Sequence, residues 1–128
     1  MKKILVTAVA ITAMAFASAA FAQVVPVKTQ ASAKGKVLAD KSGMTLYTFK
    51  NDTKSRSACN GPCAINWPPL IAALGATPSK DYTIVTRDDG GKQWAYKGKP
   101  LYTWINDKKP GDITGDGFLK GAWHIAKP

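Results

Sequence analysis

The sequence predicts an all-β fold made of two related antiparallel hairpin units that pack as one small domain. Three observations support this class. Short apolar or β-branched runs alternate with turns rich in Asp and Gly, which is typical of hairpins. A seven-residue segment recurs later in the chain. All eight acidic residues are Asp, so the helix former Glu is missing and a turn-favouring residue is abundant.

The first 22 residues have the pattern of a secretory signal peptide. Two lysines follow the initiator methionine, an apolar run begins at Ile4, and residues 20–22 (Ala-Phe-Ala) offer a small-x-small cleavage pattern. A transmembrane anchor is the alternative, but the run is short and rich in Ala. We therefore expect the mature chain to begin at Gln23 and to be periplasmic or secreted, with no transmembrane segment after cleavage.

The mature chain is small and basic. Removal of residues 1–22 leaves 106 residues with 16 Lys or Arg and 8 Asp, a net charge of +8. Such a length supports one domain and excludes a large multidomain enzyme. The charge points to an anionic partner. Because export argues against nucleic acid, we expect an anionic envelope component or another envelope protein.

The start of the mature chain is predicted to be a flexible leader over residues 23–35. This stretch lacks a sustained hydrophobic period and mixes Pro, Ser, Lys and Gly. The single domain is then expected over residues 36–128. Its two repeats are expected at about residues 36–70 and 82–128.

Each predicted repeat begins with a hairpin. Residues 40–43 and residues 88–91 are the two Asp- and Gly-bearing turns, and apolar or β-branched runs flank both. The predicted strands are residues 37–39, 44–49, 82–87, 93–96 and 101–104.

Residues 66–79 are interpreted as the linker between the repeats. Pro68 and Pro69 stop a strand, and residues 70–74 can form one short helical turn that ends at Gly75.

The internal repeat has an offset of 55 residues. Residues 46–52 (LYTFKND) match residues 101–107 (LYTWIND) at five of seven positions, with one aromatic replacing another at a sixth. Trp67 and Trp123 follow the repeated tyrosines at 20 and 21 residues, so the alignment extends further. The repeat indicates one structural unit that occurs twice, each copy covering an apolar face that the other leaves open.

These residues resemble a family of small secreted bacterial proteins and lipoproteins that carry a duplicated Tyr-x-(Phe/Trp/Tyr)-x-x-Asp motif. The family's Cys-x-Gly-x-Cys-Ala-x-x-Trp-Pro-Pro stretch is matched by residues 59–69, and the resemblance covers about residues 36–128. Many members carry a lipobox cysteine, which is absent here, so the resemblance implies no membrane tether. It implies no particular activity. The two motif copies comprise Tyr47, Phe49 and Asp52, and Tyr102, Trp104 and Asp107.

The two cysteines are interpreted as a structural disulfide. Export makes a disulfide the default for a cysteine pair, and Gly61 and Pro62 between Cys59 and Cys63 allow a tight turn in which the sulfurs can meet. A redox-active or metal-binding pair is the alternative. The spacing does not fit the Cys-x-x-Cys of thioredoxin-like enzymes.

His124 is the only histidine of the chain, which excludes a blue-copper site and a two-Cys two-His zinc site within one chain. We therefore expect no metal and a packed or surface histidine. A mixed site for a soft metal such as Cu(I) is the alternative, with Cys59, Cys63, His124 and Met44 as its ligands.

The motif residues are interpreted first as structure. Asp52 and Asp107 are expected to accept hydrogen bonds from neighbouring backbone N–H groups and to fix the turn after each strand. The aromatic residues are expected to form the core of a half-buried sheet. The alternative is a ligand site, in which the motif tyrosines or the Phe49 and Trp104 pair form an aromatic surface with a charged edge.

The sequence favours a binding role over catalysis. With a single histidine there is no plausible Ser-His-Asp set, and no Walker or dinucleotide-binding Gly loop occurs. We therefore expect no enzymatic activity, no catalytic residue and no cofactor. The primary hypothesis is an exported small basic binding or interaction module. The alternative is an envelope redox or metal-handling accessory protein that uses the cysteine pair.

Overall fold

The computed structural model describes residues 24–128, and every strand pair in it is antiparallel, which confirms the all-β class. The predicted signal peptide and its cleavage site lie outside the described residues. Within that range no helix is long and apolar enough to span a bilayer. The elements in chain order are β1 (Val27–Ser32), β2 (Gly35–Asp40), β3 (Tyr47–Phe49), α1 (Pro62–Asn66), β4 (Tyr82–Thr86), β5 (Lys92–Tyr96), β6 (Lys99–Pro100), α2 (Phe118–Gly121) and β7 (Trp123–Ile125).

The first hairpin begins earlier than the sequence predicts. β1 pairs with β2 along six residues, from Val27 opposite Asp40 to Ser32 opposite Gly35. The flexible leader predicted for residues 23–35 is therefore wrong from Val27 onwards. β1 is an edge strand in which four of six side chains are polar and none is fully buried, so it has little hydrophobic periodicity. Its backbone hydrogen-bond partners come from β2, and the pattern of side chains in the sequence does not indicate such partners.

The other predicted hairpins are present. β2 reverses at residues 40–43, after which Leu46 N donates to Leu38 O at 2.9 Å. β4 pairs with β5 around the turn closed by the Arg87 N donation to Gly91 O at 2.8 Å. β5 then pairs with the short β6.

Each copy of the repeat pairs with the last segment of the other copy. β3 of the first copy pairs with β7 of the second, with Tyr47 opposite Ile125. Conversely, Leu70 of the first copy donates its N–H to Leu101 O of the second at 2.9 Å. Between them, Tyr47 and Tyr102 exchange backbone hydrogen bonds of 2.8 and 3.0 Å. The copies are thus interlocked about an approximate two-fold axis that passes between these tyrosines.

Matching backbone hydrogen bonds support this two-fold relation. Leu38 N donates to Ala126 O at 2.9 Å, and Trp94 N donates to Leu70 O at 2.9 Å. Leu38 therefore corresponds to Trp94, and Ala126 to Leu70. The offset between corresponding residues is 55 near the motif and 56 in the flanking segments.

Residues 70–74 do not form the helical turn that the sequence allows. Ala72 N donates to Lys92 O at 2.9 Å, so this segment runs extended beside β5 and turns only at residues 73–76. β6 pairs only with Ala95 and Tyr96, so the start of β5 offers backbone partners on that side, which a helical turn would not use. The helix of this copy lies earlier, in α1, where Pro62 takes the first helical position.

Four aromatic rings from alternating copies are stacked in the core. Phe49 stacks on Trp123 at a centroid distance of 4.3 Å, Trp123 on Trp67 at 3.8 Å, and Trp67 on Trp104 at 4.0 Å. The two central rings are inclined by only 2°. Because the two-fold axis relates Trp67 to Trp123 and Phe49 to Trp104, the stack has the same order read from either end. This aromatic stack joins the two copies.

Candidate functional site

The motif tyrosines and aspartates bind each other across the copies. Tyr47 OH donates to Asp107 Oδ2 at 2.6 Å, and Tyr102 OH donates to Asp52 Oδ2 at 2.7 Å. Both tyrosines are fully buried. Each motif therefore contributes the donor of one bond and the acceptor of the other, a pairing that the sequence analysis did not predict.

Each motif aspartate also holds the loop that follows it. Asp52 Oδ1 accepts the Ala58 N–H at 2.7 Å, and Asp107 Oδ1 accepts the Thr114 N–H at 3.0 Å and its hydroxyl at 2.6 Å. These bonds are of the kind expected for a turn-fixing carboxylate. The motif thus combines a local cap with a contact to the other copy.

Burial governs the ionisation of this cluster. Desolvation raises the pKa of Tyr47 and of Tyr102 well above the ordinary 10.0, and the hydrogen bonds to Asp107 and Asp52 add to the rise. Desolvation also raises the pKa of Asp52, against the lowering effect of its bonds from Ala58 and Tyr102.

We expect the fold to lose stability steeply above pH 10. A tyrosine whose folded pKa exceeds its unfolded 10.0 contributes stability that is complete below pH 10 and is lost as pH rises towards the folded pKa. In that window the ionisation of Tyr47 and of Tyr102 should each lower the free energy of unfolding by about 1.4 kcal/mol per pH unit. Urea unfolding between pH 8 and pH 11.5 measures this slope. Tyr102→Phe should make the slope clearly shallower, and a flat free energy of unfolding from pH 9 to pH 11 would contradict the prediction.

A disulfide and a buried guanidinium hold the loop between β3 and α1. Cys59 and Cys63 form the disulfide, and Cys59 is fully buried. Arg87 of the second copy is 3% exposed; its Nη2 donates to Cys59 O at 2.7 Å, and its Nη1 donates to Ser57 Oγ at 3.0 Å and to Gln93 Oε1 at 2.8 Å. Ser57 Oγ in turn lies 2.6 Å from Tyr102 OH, so this network reaches the motif tyrosine.

The soft-metal site that the sequence left open lacks its thiolates, because both sulfurs are in the disulfide. His124 stands opposite Thr48 in the β3–β7 pair, with Nδ1 3.6 Å from Asp116 Oδ1. Met44 lies at the β2 turn, where its carbonyl accepts the Asp40 N–H. Residues 24–128 contain no group of three or more His, Cys or Asp side chains that could hold a metal ion.

An open groove of about 660 Å³ lies where the two copies meet beside β3. Its one acidic lining residue is Asp52, whose carboxylate already accepts the bonds from Tyr102 and Ala58. Phe49, Pro100 and Gly121 also line it. The lysines of the lining are Lys50 and Lys54 from the first copy and Lys97 and Lys99 from the second, which also contributes His124. We call this feature the basic groove.

The groove lysines carry uncompensated charge. All four are exposed, and none makes a salt bridge with any described residue. A smaller cavity of about 340 Å³ shares Lys97, Lys99 and His124 with the groove and adds Lys127. Clustered lysines without counter-charges create a positive potential that attracts anions.

The two-fold axis provides an internal comparison for the basic groove. Lys50 N donates to Ala122 O at 2.7 Å, and Ile105 N makes the corresponding bond to Asn66 O at 2.9 Å. Gly98 and Gly43 share a positive φ, of 81° and 86°. A Cβ added at Gly98 would lie 3.1 Å from Lys54 Cγ, and one added at Gly43 would lie 3.0 Å from Pro110 Cβ.

The four groove lysines and His124 all have uncharged counterparts in the other copy. Because the same backbone forms at uncharged residues, the fold does not require cations at these positions. The corresponding residues are Ile105 for Lys50, Pro110 for Lys54, Ser42 for Lys97, Met44 for Lys99 and Pro68 for His124.

The sequence places Lys97 and Lys99 among aromatic residues, but it does not bring Lys50 and Lys54 together with them. The four lysines lie in the loop after β3, in the β5–β6 turn and in β6, so no local spacing predicts one site. One signal was available: Lys50 and Ile105 are the only pair within the repeated heptapeptide that differs in charge.

Comparison with known proteins gives one match. A family model described as a secreted repeat of unknown function matches the chain twice, over residues 28–71 and 83–127. The first match includes β1, in agreement with the structure and not with the predicted leader. Neither the curated proteins nor the solved structures include a match to this chain.

Proposed function

Because this chain belongs to the family of secreted repeats of unknown function, we propose that it is an exported, non-enzymatic binding module of the periplasm or cell surface. Its ligand is an anionic envelope polymer that carries phosphate or carboxylate groups. The basic groove is its binding site.

The observation that carries this proposal is the difference between the two copies. The four groove lysines and His124 stand at five backbone positions whose counterparts in the other copy are uncharged. Since the charges are not needed for folding, a ligand is the best account of why they are concentrated here. Lysine ammonium groups act as compact point charges that suit phosphate or carboxylate groups along a polymer.

A binding role fits the chemistry of the groove better than catalysis. Asp52 is half-buried, and both of its oxygens accept hydrogen bonds, so it is poorly placed to act as a general base. The remaining ionisable groups of the lining are lysines and His124. Ammonium groups bind and orient an anion without supplying a base.

The redox alternative has less support. Cys59 is fully buried and its carbonyl is held by Arg87, which restricts access of an incoming thiol to one end of the disulfide. The disulfide instead fixes the loop from which Ser57 contacts Tyr102.

We expect neutralisation of the groove to weaken polyanion binding by roughly tenfold to a hundredfold, because each lysine near an anionic surface contributes up to about 1 kcal/mol. The variant replaces Lys50, Lys54, Lys97 and Lys99 by Gln. Binding to inorganic polyphosphate and to a polyuronate is measured by calorimetry between 50 and 300 mM salt. The salt dependence should become shallower in the variant.

A matched control separates the groove from net charge. Gln at the exposed residues Lys28, Lys36, Lys41 and Lys80 removes the same charge from other surfaces. It should leave affinity within about threefold of the unmodified protein, an order-of-magnitude allowance for long-range screening. An equal loss in both variants would show that overall charge, and not the groove, binds the polymer.

A further inference from the structure

A cluster of exposed apolar side chains lies beside the Trp104 end of the aromatic stack. Ile65, Ile105, Phe118 and Leu119 are 67%, 45%, 41% and 64% exposed. The Phe118 ring lies 4.8 Å from Trp104, centroid to centroid. The Ile105 N–H donates to the carbonyl of the residue after Ile65, so these segments adjoin. We call these four residues the apolar patch.

The apolar patch overlaps the two-fold counterpart of the basic groove at two of its four residues. Ile105 corresponds to Lys50, and Ile65 corresponds to Gly121, which lines the groove. The same backbone position therefore carries a cationic side chain, Lys50, in the first copy and an apolar one, Ile105, in the second. The patch is a second differentiated surface, separate from the groove.

The backbone beneath the patch is held in an unfavourable conformation. Leu119 and Lys120 have φ of 52° and 55°, in the left-handed region that side chains other than Gly, Asn and Asp rarely adopt. This turn leaves Leu119 largely in water instead of in the core. Strain that keeps a large apolar side chain exposed is typical of a functional surface.

The rim of the apolar patch is cationic. Lys108 Nζ donates to Ile105 O at 3.0 Å, and Lys120 adjoins Leu119. The nearby carboxylates are engaged elsewhere. Asp112 Oδ2 accepts the Lys108 N–H, and Asp116 Oδ2 pairs with a lysine on β1–β2 at 2.7 Å. Of these two carboxylates only Asp116 is paired with a lysine, so the rim carries Lys108 and Lys120 against Asp112 and is net positive.

We propose that the apolar patch inserts shallowly into an anionic lipid surface. Protein interfaces usually involve about 20–30 residues on each side, far more than this patch supplies. Interfacial insertion needs only a few apolar side chains at the boundary of headgroups and acyl chains, with lysines on the phosphates around them. The four apolar residues and their lysine rim match that requirement.

Vesicle partitioning tests this proposal. The variant combines Leu119→Asn, which tolerates the left-handed backbone, with Ile65→Gln on the exposed side of α1. Its control combines Leu74→Gln with Ile71→Gln, which removes two other exposed apolar side chains. Co-sedimentation uses vesicles of phosphatidylglycerol and phosphatidylcholine. We expect the partition coefficient to fall about tenfold for the variant and to stay within twofold for the control.

Three results would overturn the proposal. The unmodified protein could fail to sediment with the vesicles. The variant could partition as the unmodified protein does, which would leave electrostatic adsorption alone. The variant could instead lose a concentration-dependent dimer in light scattering, which would make the patch a contact between two copies of the chain. Polyphosphate affinity, measured on the same variant, reports on the basic groove separately, and urea unfolding verifies that the variant is folded.

Discussion

Replacement of Trp123 by Ala should remove a large part of the stability of this fold. Trp123 is fully buried, stacks on Trp67 at 3.8 Å and on Phe49 at 4.3 Å, and meets the Tyr102 ring edge-on at 5.0 Å. A buried Trp→Ala change typically costs about 3–5 kcal/mol, and domains of this size are stable by about 5–15 kcal/mol. Urea unfolding followed by circular dichroism measures the loss.

The two-fold axis supplies a second measurement of the same effect. Trp67→Ala removes the corresponding ring and should cost a similar amount, whereas Leu74→Ala removes a side chain that is 94% exposed and should change stability by less than about 0.5 kcal/mol. A loss below about 1 kcal/mol for Trp123→Ala would mean that the aromatic stack is not the element that joins the copies.

Replacement of Asp107 by Ala should be nearly as damaging. Asp107 is only 6% exposed and accepts the Tyr47 hydroxyl, the Thr114 N–H and the Thr114 hydroxyl. Its removal leaves three donors without an acceptor, each at a cost of about 1–3 kcal/mol if it stays buried. We expect a total loss of about 3–5 kcal/mol once the site relaxes. The same unfolding experiment measures it.

A double-mutant cycle separates the Tyr47–Asp107 hydrogen bond between the copies from the bonds that Asp107 makes to Thr114. Tyr47→Phe removes only the hydroxyl, so the combination with Asp107→Ala should cost clearly less than the sum of the two single changes. Strict additivity would show that Tyr47 and Asp107 do not stabilise each other. Asp52→Ala should be the milder change, because Asp52 is less buried than Asp107.

Local patterns predicted the elements of this fold but not their partners. The hairpins around residues 40–43 and 88–91 follow from turn chemistry, which acts over a few residues. The pairing of β3 with β7 joins residues up to 78 apart, and that of Leu70 with Leu101 joins residues 31 apart. An alternating pattern of side chains does not indicate which strand pairs with which over such separations. β1 was missed for a related reason, since an edge strand needs no apolar face.

The sequence likewise identified some residues of the candidate sites and missed others. The motif residues were identifiable because they are repeated, and the cysteines because their spacing allows a closed loop. The groove lysines and Arg87 were not identifiable, because their importance lies in which loops the fold brings together. Arg87 is charged yet only 3% exposed, which inverts the usual expectation for its residue type.

The exchange of closing strands has a consequence for how the polypeptide is made. Leu38 N donates to Ala126 O and β3 pairs with β7, so β2 and β3 gain these partners only once the final residues have been made. Contacts so distant along the chain delay folding, because a long loop must close before they form. We therefore expect the core to be completed only after synthesis ends, which suits an exported protein whose chain crosses a membrane before it folds.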